Sequence, residues 1–386
     1  MSLSIVHIIG AGLSGATLAR LLADKGYSVY IYEMNDHIGG NCYDYFNQYG
    51  ILVQKYGPHI FHTDKKHVYD FVKRFAKFRP NLIDVLVNIK GTLVDLPINF
   101  KSVEKFFPQE STSIKKFIKT TWKHQRAIPI GELLECSHDS TKKWAFFIWK
   151  NVYENYSAKM WGLPIKELDI SVLNRVGIVP SYQHNYFPND KYQGMPIGGF
   201  TRMIKRMLDH KLIKLINHKP VIKLKDGKTW IDRKLIANPI FYCGQIDELL
   251  NYRYGLIPYR SLFFKFDTLK RDSFQPASVI NFPNHPNFTR IAEYKKINQQ
   301  KIKGVTTISY EYPGKYDINT IKFNKPYYPI HNVQNVDQYQ KYVKDLMPYS
   351  NFYLLGRLAE YKYFDMDDAI DNAIQICKSF NALKKA

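Results

Sequence analysis

The sequence predicts an α/β fold with an inserted helical domain and an antiparallel β-sheet domain. Three observations lead there. A glycine-rich turn, Gly10, Gly12 and Gly15 in IIGAGLSGATLARLL, separates a short apolar run from a helical pattern. Glu33 ends the next apolar run, SVYIYE. A second glycine-led segment, GRLAEYKYFD, begins at Gly356 near the far end of the chain. Both segments suit parts of one dinucleotide, so the chain folds back to close one site.

The elements follow in order. Ser4 to Ile9 reads as a buried strand and Ser14 to Lys25 as a helix, with Leu18, Leu21 and Leu22 on one face. Gly26 stops the helix and Ser28 to Tyr32 forms the next strand, which completes a Rossmann-like βαβ unit. Asp64 to Phe78 is expected to be helical, with Val68, Phe71, Val72 and Phe75 at helical spacing. From about residue 100 to 175, charged and aromatic residues alternate at helical spacing, which points to an inserted helical domain. Ile197-Gly198-Gly199 precedes a helix carrying Phe200, Met203, Ile204 and Met207. YRSLFFKF, ASVINF, FTRIAEY and VTTISYEY read as strands of an antiparallel sheet. Asn351 to Gly356 adds a buried strand, and a last helix carries Ile370, Ala373, Ile374 and Cys377 on one face. The expected division is 1–77, 200–245 and 346–386 for the α/β domain, 101–185 for the helical domain, and 78–100, 186–199 and 246–345 for the sheet.

Composition narrows the function. Fifty-five Lys and Arg against 34 Asp and Glu leave a net charge of +21, which favours anionic partners. No like-charge block exceeds three residues and no nucleic-acid motif appears, so nucleic acid is not expected as a partner. The four cysteines form no metal spacing, and a reducing, cytoplasmic setting is the default. No apolar run is long enough to span a membrane.

The chemistry of the first turn is specific. Gly12 and Gly15 let backbone approach a pyrophosphate at a helix N-terminus, where free amides and the helix dipole favour negative charge. Glu33 is placed to accept ribose hydroxyls. FAD and NAD share this pattern; Gly39-Gly40, in HIGGNCYDY, is the extension that selects FAD.

With HIGGNCYDY, the segments KYGPHIFHT, NYSAKMWG, HNYFPNDKYQGMPIGGFT, YRSL, FTRIAEYK, KPYYP and GRLAEYKYFDM run nearly the length of the chain. In their order and spacing the sequence resembles the UDP-galactopyranose mutase family, flavoenzymes that interconvert pyranose and furanose forms of a nucleotide-linked hexose. The resemblance implies an FAD-binding α/β domain, a nucleotide-capturing helical domain and a twisted antiparallel sheet around one cleft. It implies reduced FAD as a nucleophile, N5 bonding covalently to the sugar's anomeric carbon. A nucleotide-diphosphate sugar substrate, a role in surface polysaccharide synthesis and a possible homodimer come with it.

The same resemblance assigns residues. His62 matches the histidine at the flavin edge, and His59 a position beside the sugar. Arg290 matches a fixed diphosphate arginine, with Arg260 a second candidate and a surface salt bridge its alternative. Tyr328 and Tyr363 match tyrosines that donate to phosphate, and Asp365 the acid beside flavin and substrate. Arg357 and Met366 fall at flavin-binding positions. Tyr156 and Trp161 match the aromatic pair of the helical domain, and Tyr186 a nucleotide-side position. Guanidinium suits a diphosphate because it forks onto phosphate and stays charged.

One departure stands out. The family carries a second diphosphate arginine in a pattern like RIPVR; here the stretch runs Arg175-Val176-Gly177-Ile178-Val179, so Val179 stands where the loop arginine is expected. Pro58 also replaces a small residue before His59. Either another cation covers the phosphates or the base or sugar differs. The rival function is an FAD-dependent oxidoreductase of the amine-oxidase type, in which paired tyrosines and arginines have no role.

Overall fold

The computed structural model describes residues 4–80, 82–162 and 177–383. Its N-terminal unit is β1 (Ile5–Ile9), α1 (Leu13–Ala23) and β2 (Ser28–Glu33). These two strands lie in a five-stranded sheet in the order Ile213–Asn217, β2, β1, Ile240–Tyr242, Phe352–Leu354. Every pairing in it is parallel. Parallel strands buried on both faces need apolar residues throughout, and Val6, Ile8, Val29 and Ile31 are fully buried. The C-terminal helix, Met366–Leu383, packs along α1. Its Ile370, Ala373 and Cys377 share one core with Ala16, Ala19 and Leu22. Both ends of the sequence thus build one layer.

Gly15 makes the first crossing possible. A Cβ built there would sit 2.0 Å from the Gly10 carbonyl oxygen, so only glycine lets α1 leave the sheet at this angle.

The expected strands of the second half join a seven-stranded sheet, in the order Tyr328–Pro329, Tyr259–Leu269, Thr306–Lys315, Arg290–Glu293, Val279–Asn281, Val85–Ile89, Thr92–Asp95. It is antiparallel except where Val279–Asn281 runs parallel to Val85–Ile89, so the sheet is mixed. The expected helix over Asp64–Phe78 is shorter, Lys66–Lys73. Phe78–Pro80 is instead extended and pairs antiparallel with Gly194–Pro196. That pairing is tight: a Cβ on Gly194 would lie 2.4 Å from the Arg79 carbonyl oxygen. Ladder bonds and close approach outweigh the helical periodicity there.

From residue 100 to 161 the expected helices are present: Phe100–Phe106, Ser111–Thr121, Ile130–Leu134, Asp139–Ile148 and Asn155–Trp161; positions 163–175 of the expected span lie outside the described residues. Between the last two, Trp149–Glu154 forms a widened π-helical turn. Val152, Tyr153, Tyr156, Ser157, Met160 and Trp161 then fall on one face, and all six line a cavity. Among the described residues, no helix is long and apolar enough to cross a membrane.

Candidate active site

A cavity of about 1500 Å³ runs from the glycine turn of the parallel sheet to the mixed sheet and the Asn155–Trp161 helix. Gly10, Gly12, Gly15, Glu33, Gly39 and Gly40 line one end. Gly12 caps α1 and offers no side chain of its own. A Cβ on Gly40 would come within 3.3 Å of the Gly12 Cα, filling the space where backbone faces the cavity. The Gly39 amide donates to the Ala11 carbonyl at 2.9 Å, which locks the two turns together. Glu33 is buried; its Oε2 accepts from the Ala11 amide at 2.8 Å, and its Oε1 from the Asn35 amide and side chain at 2.9 and 2.6 Å. A carboxylate oxygen has a second lone pair, so Oε2 can still accept from a ribose hydroxyl. Gln245 lines the same end, and its buried Nε2 has no acceptor among the described residues. Bare backbone, an oriented acid and an orphaned donor fit a bound dinucleotide.

Two histidines stand further along. His62 lies in the strand Phe61–Thr63, held by pairing with Tyr192–Gly194. Its Nδ1 is 2.5 Å from Asp190 Oδ2, and its ring stacks on Phe187 with centroids 3.5 Å apart. The carboxylate accepts, so Nδ1 carries the proton, and stacking fixes the ring plane. His59 donates through Nδ1 to the Gly57 carbonyl at 2.8 Å. Burial, with Arg357 and Arg290 nearby, pulls its pKa down to about 4. It is therefore neutral near pH 7, with Nε2 an acceptor.

The cationic wall is built by strand register. Arg290 and Glu311 are directly opposed in the mixed sheet. Arg290 donates through Nε and Nη2 to Glu311 Oε2 at 2.8 and 2.6 Å, and Thr289 Oγ1 donates to Oε1 at 2.7 Å. Burial alone would weaken the Arg290 charge; Glu311, Tyr156 and Tyr328 raise its pKa well above the ordinary value. Arg357 lies over the rings of Tyr363 and Tyr328, at 5.0 and 5.7 Å. It is braced by the carbonyls of Tyr327 and Phe364. Tyr328 and Tyr363 stack with centroids 5.7 Å apart, and the Tyr363 hydroxyl donates to Asp365 at 2.9 Å. Trp161 closes on Tyr328 at 5.9 Å.

Tyr156, Trp161, Tyr186 and Met366 all line the cavity. Arg260 does not: its Nε and Nη2 donate to the carbonyls of Met160 and Lys159 at 2.8 and 3.1 Å. It caps the end of the aromatic helix, a task neither the phosphate nor the salt-bridge expectation covers. Val179 is buried, its amide bonded to the Ile98 carbonyl at 2.8 Å. Arg175 lies outside the described residues.

Three further residues escaped sequence reasoning. Glu311 braces Arg290 and Asp190 braces His62; each acid sits in a quoted segment, but only tertiary pairing gives it a partner. Lys159 donates to the carbonyls of Phe282, His285 and Phe288 at 2.8, 2.6 and 2.8 Å. It fastens the helix bearing Tyr156 and Trp161 to the loop that leads into Arg290, and burial lowers its pKa to about 8.

Comparison with known proteins gives concordant results. The family model described as UDP-galactopyranose mutase matches residues 151–363, and one described as an NAD(P)-binding Rossmann-like domain matches residues 8–75. The chain is 39% identical over 370 residues to a UDP-galactopyranose mutase of Mycoplasma genitalium, covering 95% of this chain and 92% of that one. It is 32% identical over 384 residues to the dTDP-fucopyranose mutase of Escherichia coli, covering 97% and 98%. A crystal structure of reduced UDP-galactopyranose mutase superposes with a TM-score of 0.70 at 15% identity, covering 98% of this chain and 96% of that one. A putrescine oxidase structure does so at 0.61 and 12% identity, covering 98% and 99%. These two structures share the fold.

Proposed function

The chain belongs to the UDP-galactopyranose mutase family, and on that premise we propose that it interconverts the pyranose and furanose forms of a nucleotide-diphosphate hexose with reduced FAD as cofactor. The observation that carries the proposal is one cavity that joins a dinucleotide cradle to a wall of Arg290, Arg357, Tyr328 and Tyr363. When bound, reduced flavin supplies an electron-rich ring nitrogen as nucleophile.

The protein's own residues orient and manage charge. Arg290, pinned through Nε and Nη2 by Glu311, presents the rest of its guanidinium to the diphosphate as the anomeric bond breaks. Tyr328 donates its hydroxyl to phosphate, and Tyr363 does so once phosphate replaces Asp365 as the acceptor of its single proton. Arg357 and Met366, which line the cavity, would hold the flavin, and Asp365 would lie beside flavin and substrate. Neutral His59 accepts from a sugar hydroxyl, and the Asp190-held His62 tautomer turns Nε2 to the flavin edge. Tyr156 stacks on the base, Tyr186 flanks the nucleotide, and Trp161 lines the sugar side. Residues 1–77, 200–245 and 346–386 form the cofactor domain in this scheme, 101–185 the nucleotide-capture domain, and 78–100, 186–199 and 246–345 the sheet domain. The furanose product would serve surface polysaccharide synthesis.

UDP-galactose is the first substrate to try. Val179 in place of the loop arginine, and a dTDP-fucopyranose mutase among the relatives, make the base and sugar open variables. Dithionite-reduced, FAD-loaded protein is supplied with UDP-, dTDP- and GDP-hexopyranoses and the products are separated by chromatography. A furanose product from at least one is expected; none from any, with steady peroxide formation from amines instead, overturns the proposal in favour of the oxidase.

A further inference from the structure

The positive charge of this chain is concentrated. Residues 211–236 hold eight Lys and Arg against two Asp, a net +6 within 26 residues, out of +21 for all 386. Much of it lies on a three-stranded antiparallel sheet formed by Ile222–Lys225, Lys228–Ile231 and Lys234–Ile236.

Register sorts the side chains of this sheet onto two faces. Ile222, Leu224, Ile231 and Ile236 share the inner face and pack on a core that includes Tyr242 and Phe352. The outer face carries Lys223 opposite Trp230 opposite Leu235, with Lys225 opposite Lys228 beside them. All three lysines are exposed, and Leu235 is 58% exposed. Among the described residues, Lys223 and Lys228 have no ion pair, and the nearest acid to Lys225 is its neighbour Asp226 at 4.0 Å. The Trp230 ring has no aromatic or hydrogen-bonded partner there either. None of the five lines the cavity.

We propose that this outer face binds peripherally to an anionic lipid bilayer. Trp230 and Leu235 enter the headgroup region, and Lys223, Lys225 and Lys228 pair with lipid phosphates. The argument is one of complementarity. An indole beside an aliphatic side chain suits the membrane interface, where the ring sits at headgroup level. Lysines lay their stems on apolar surface and send the ammonium to phosphate. Each lysine near an anionic leaflet contributes about 1 kcal/mol, close to fivefold in affinity. Nucleic acid fits the face less well, because Trp230 and Leu235 make the middle of the patch apolar. The inference is independent of the proposed reaction.

The test uses full-length, FAD-loaded protein and sedimentation with vesicles. Binding is expected to phosphatidylcholine mixed with phosphatidylglycerol and not to phosphatidylcholine alone, and to weaken with salt. The K223E/K225E/K228E variant, checked by circular dichroism and retained flavin, is expected to lose about a hundredfold or more in affinity. Bromine-labelled lipid should quench the wild-type fluorescence and quench W230F much less. Equal binding to both vesicle types, no binding, or binding indifferent to the triple charge reversal overturns the proposal. So does equally tight, lysine-dependent binding of double-stranded DNA, which would assign the face to nucleic acid.

Discussion

Replacing His59 with Asn tests the electrostatics of the cavity directly. Asn keeps a side-chain donor for the Gly57 carbonyl but does not titrate. In the folded protein, burial and the nearby Arg357 and Arg290 hold the His59 pKa at about 4, against 6.5 when solvated. Between those values the unfolded chain binds a proton that the folded chain refuses. The His59 contribution to stability is therefore present above pH 6.5 and lost as pH falls through about 4. A shift from 6.5 to about 4, at about 1.4 kcal/mol per unit, comes to about 3 kcal/mol. The assay is two-fold. Carbon NMR of histidine-labelled protein, with the His59→Asn spectrum identifying the signal, should show one ring that stays neutral well below pH 6. Denaturant unfolding of wild type and variant should then diverge, with the pH dependence of the variant shallower by about 3 kcal/mol between neutral and acid conditions. A His59 signal that titrates near 6.5 would refute the reasoning: the ring would be solvated, and its role as a fixed neutral acceptor would go with it.

Other outcomes follow from the same geometry. Glu311→Gln leaves the half-buried Arg290 charge without its buried counter-ion, which should cost about 1–3 kcal/mol in stability; calorimetric titration should show sugar-nucleotide affinity lowered more than tenfold, with FAD still bound. Asp190→Asn removes the carboxylate that fixes the His62 tautomer, and it should shift the flavin reduction potential and cut turnover by about tenfold or more while the thermal midpoint moves little. Gly15→Ala drives a Cβ against the Gly10 carbonyl, and protein purified from it should carry little or no FAD and melt several degrees lower.

Much of this arrangement was legible in the chain, and the exceptions have physical causes. The βαβ unit could be read because glycine, apolar periodicity and Glu33 all act locally. The four strand runs of the second half could be read because runs rich in β-branched and aromatic residues are local too. The overextended helix at Asp64–Phe78 fails because Phe78–Pro80 takes its conformation from Gly194–Pro196, more than a hundred residues away. Arg260 was read as a phosphate or surface group because its actual acceptors are backbone carbonyls, which every residue carries. Asp190 and Glu311 were invisible for the converse reason. An acid is common in sequence, and its meaning here comes from one partner reached by folding. Lys159 is the extreme case, since its three acceptors lie on a loop more than 120 residues downstream.

The five-stranded sheet has a consequence for how the protein is made. Its central strands come from the first tens of residues, yet one edge is Phe352–Leu354 and the layer over α1 is Met366–Leu383. During synthesis, the early βαβ segment emerges from the ribosome with an open flank and an uncovered helix, and it waits for most of the polypeptide to be translated. Until those later segments arrive, the nascent chain leaves the apolar flank of that unit exposed.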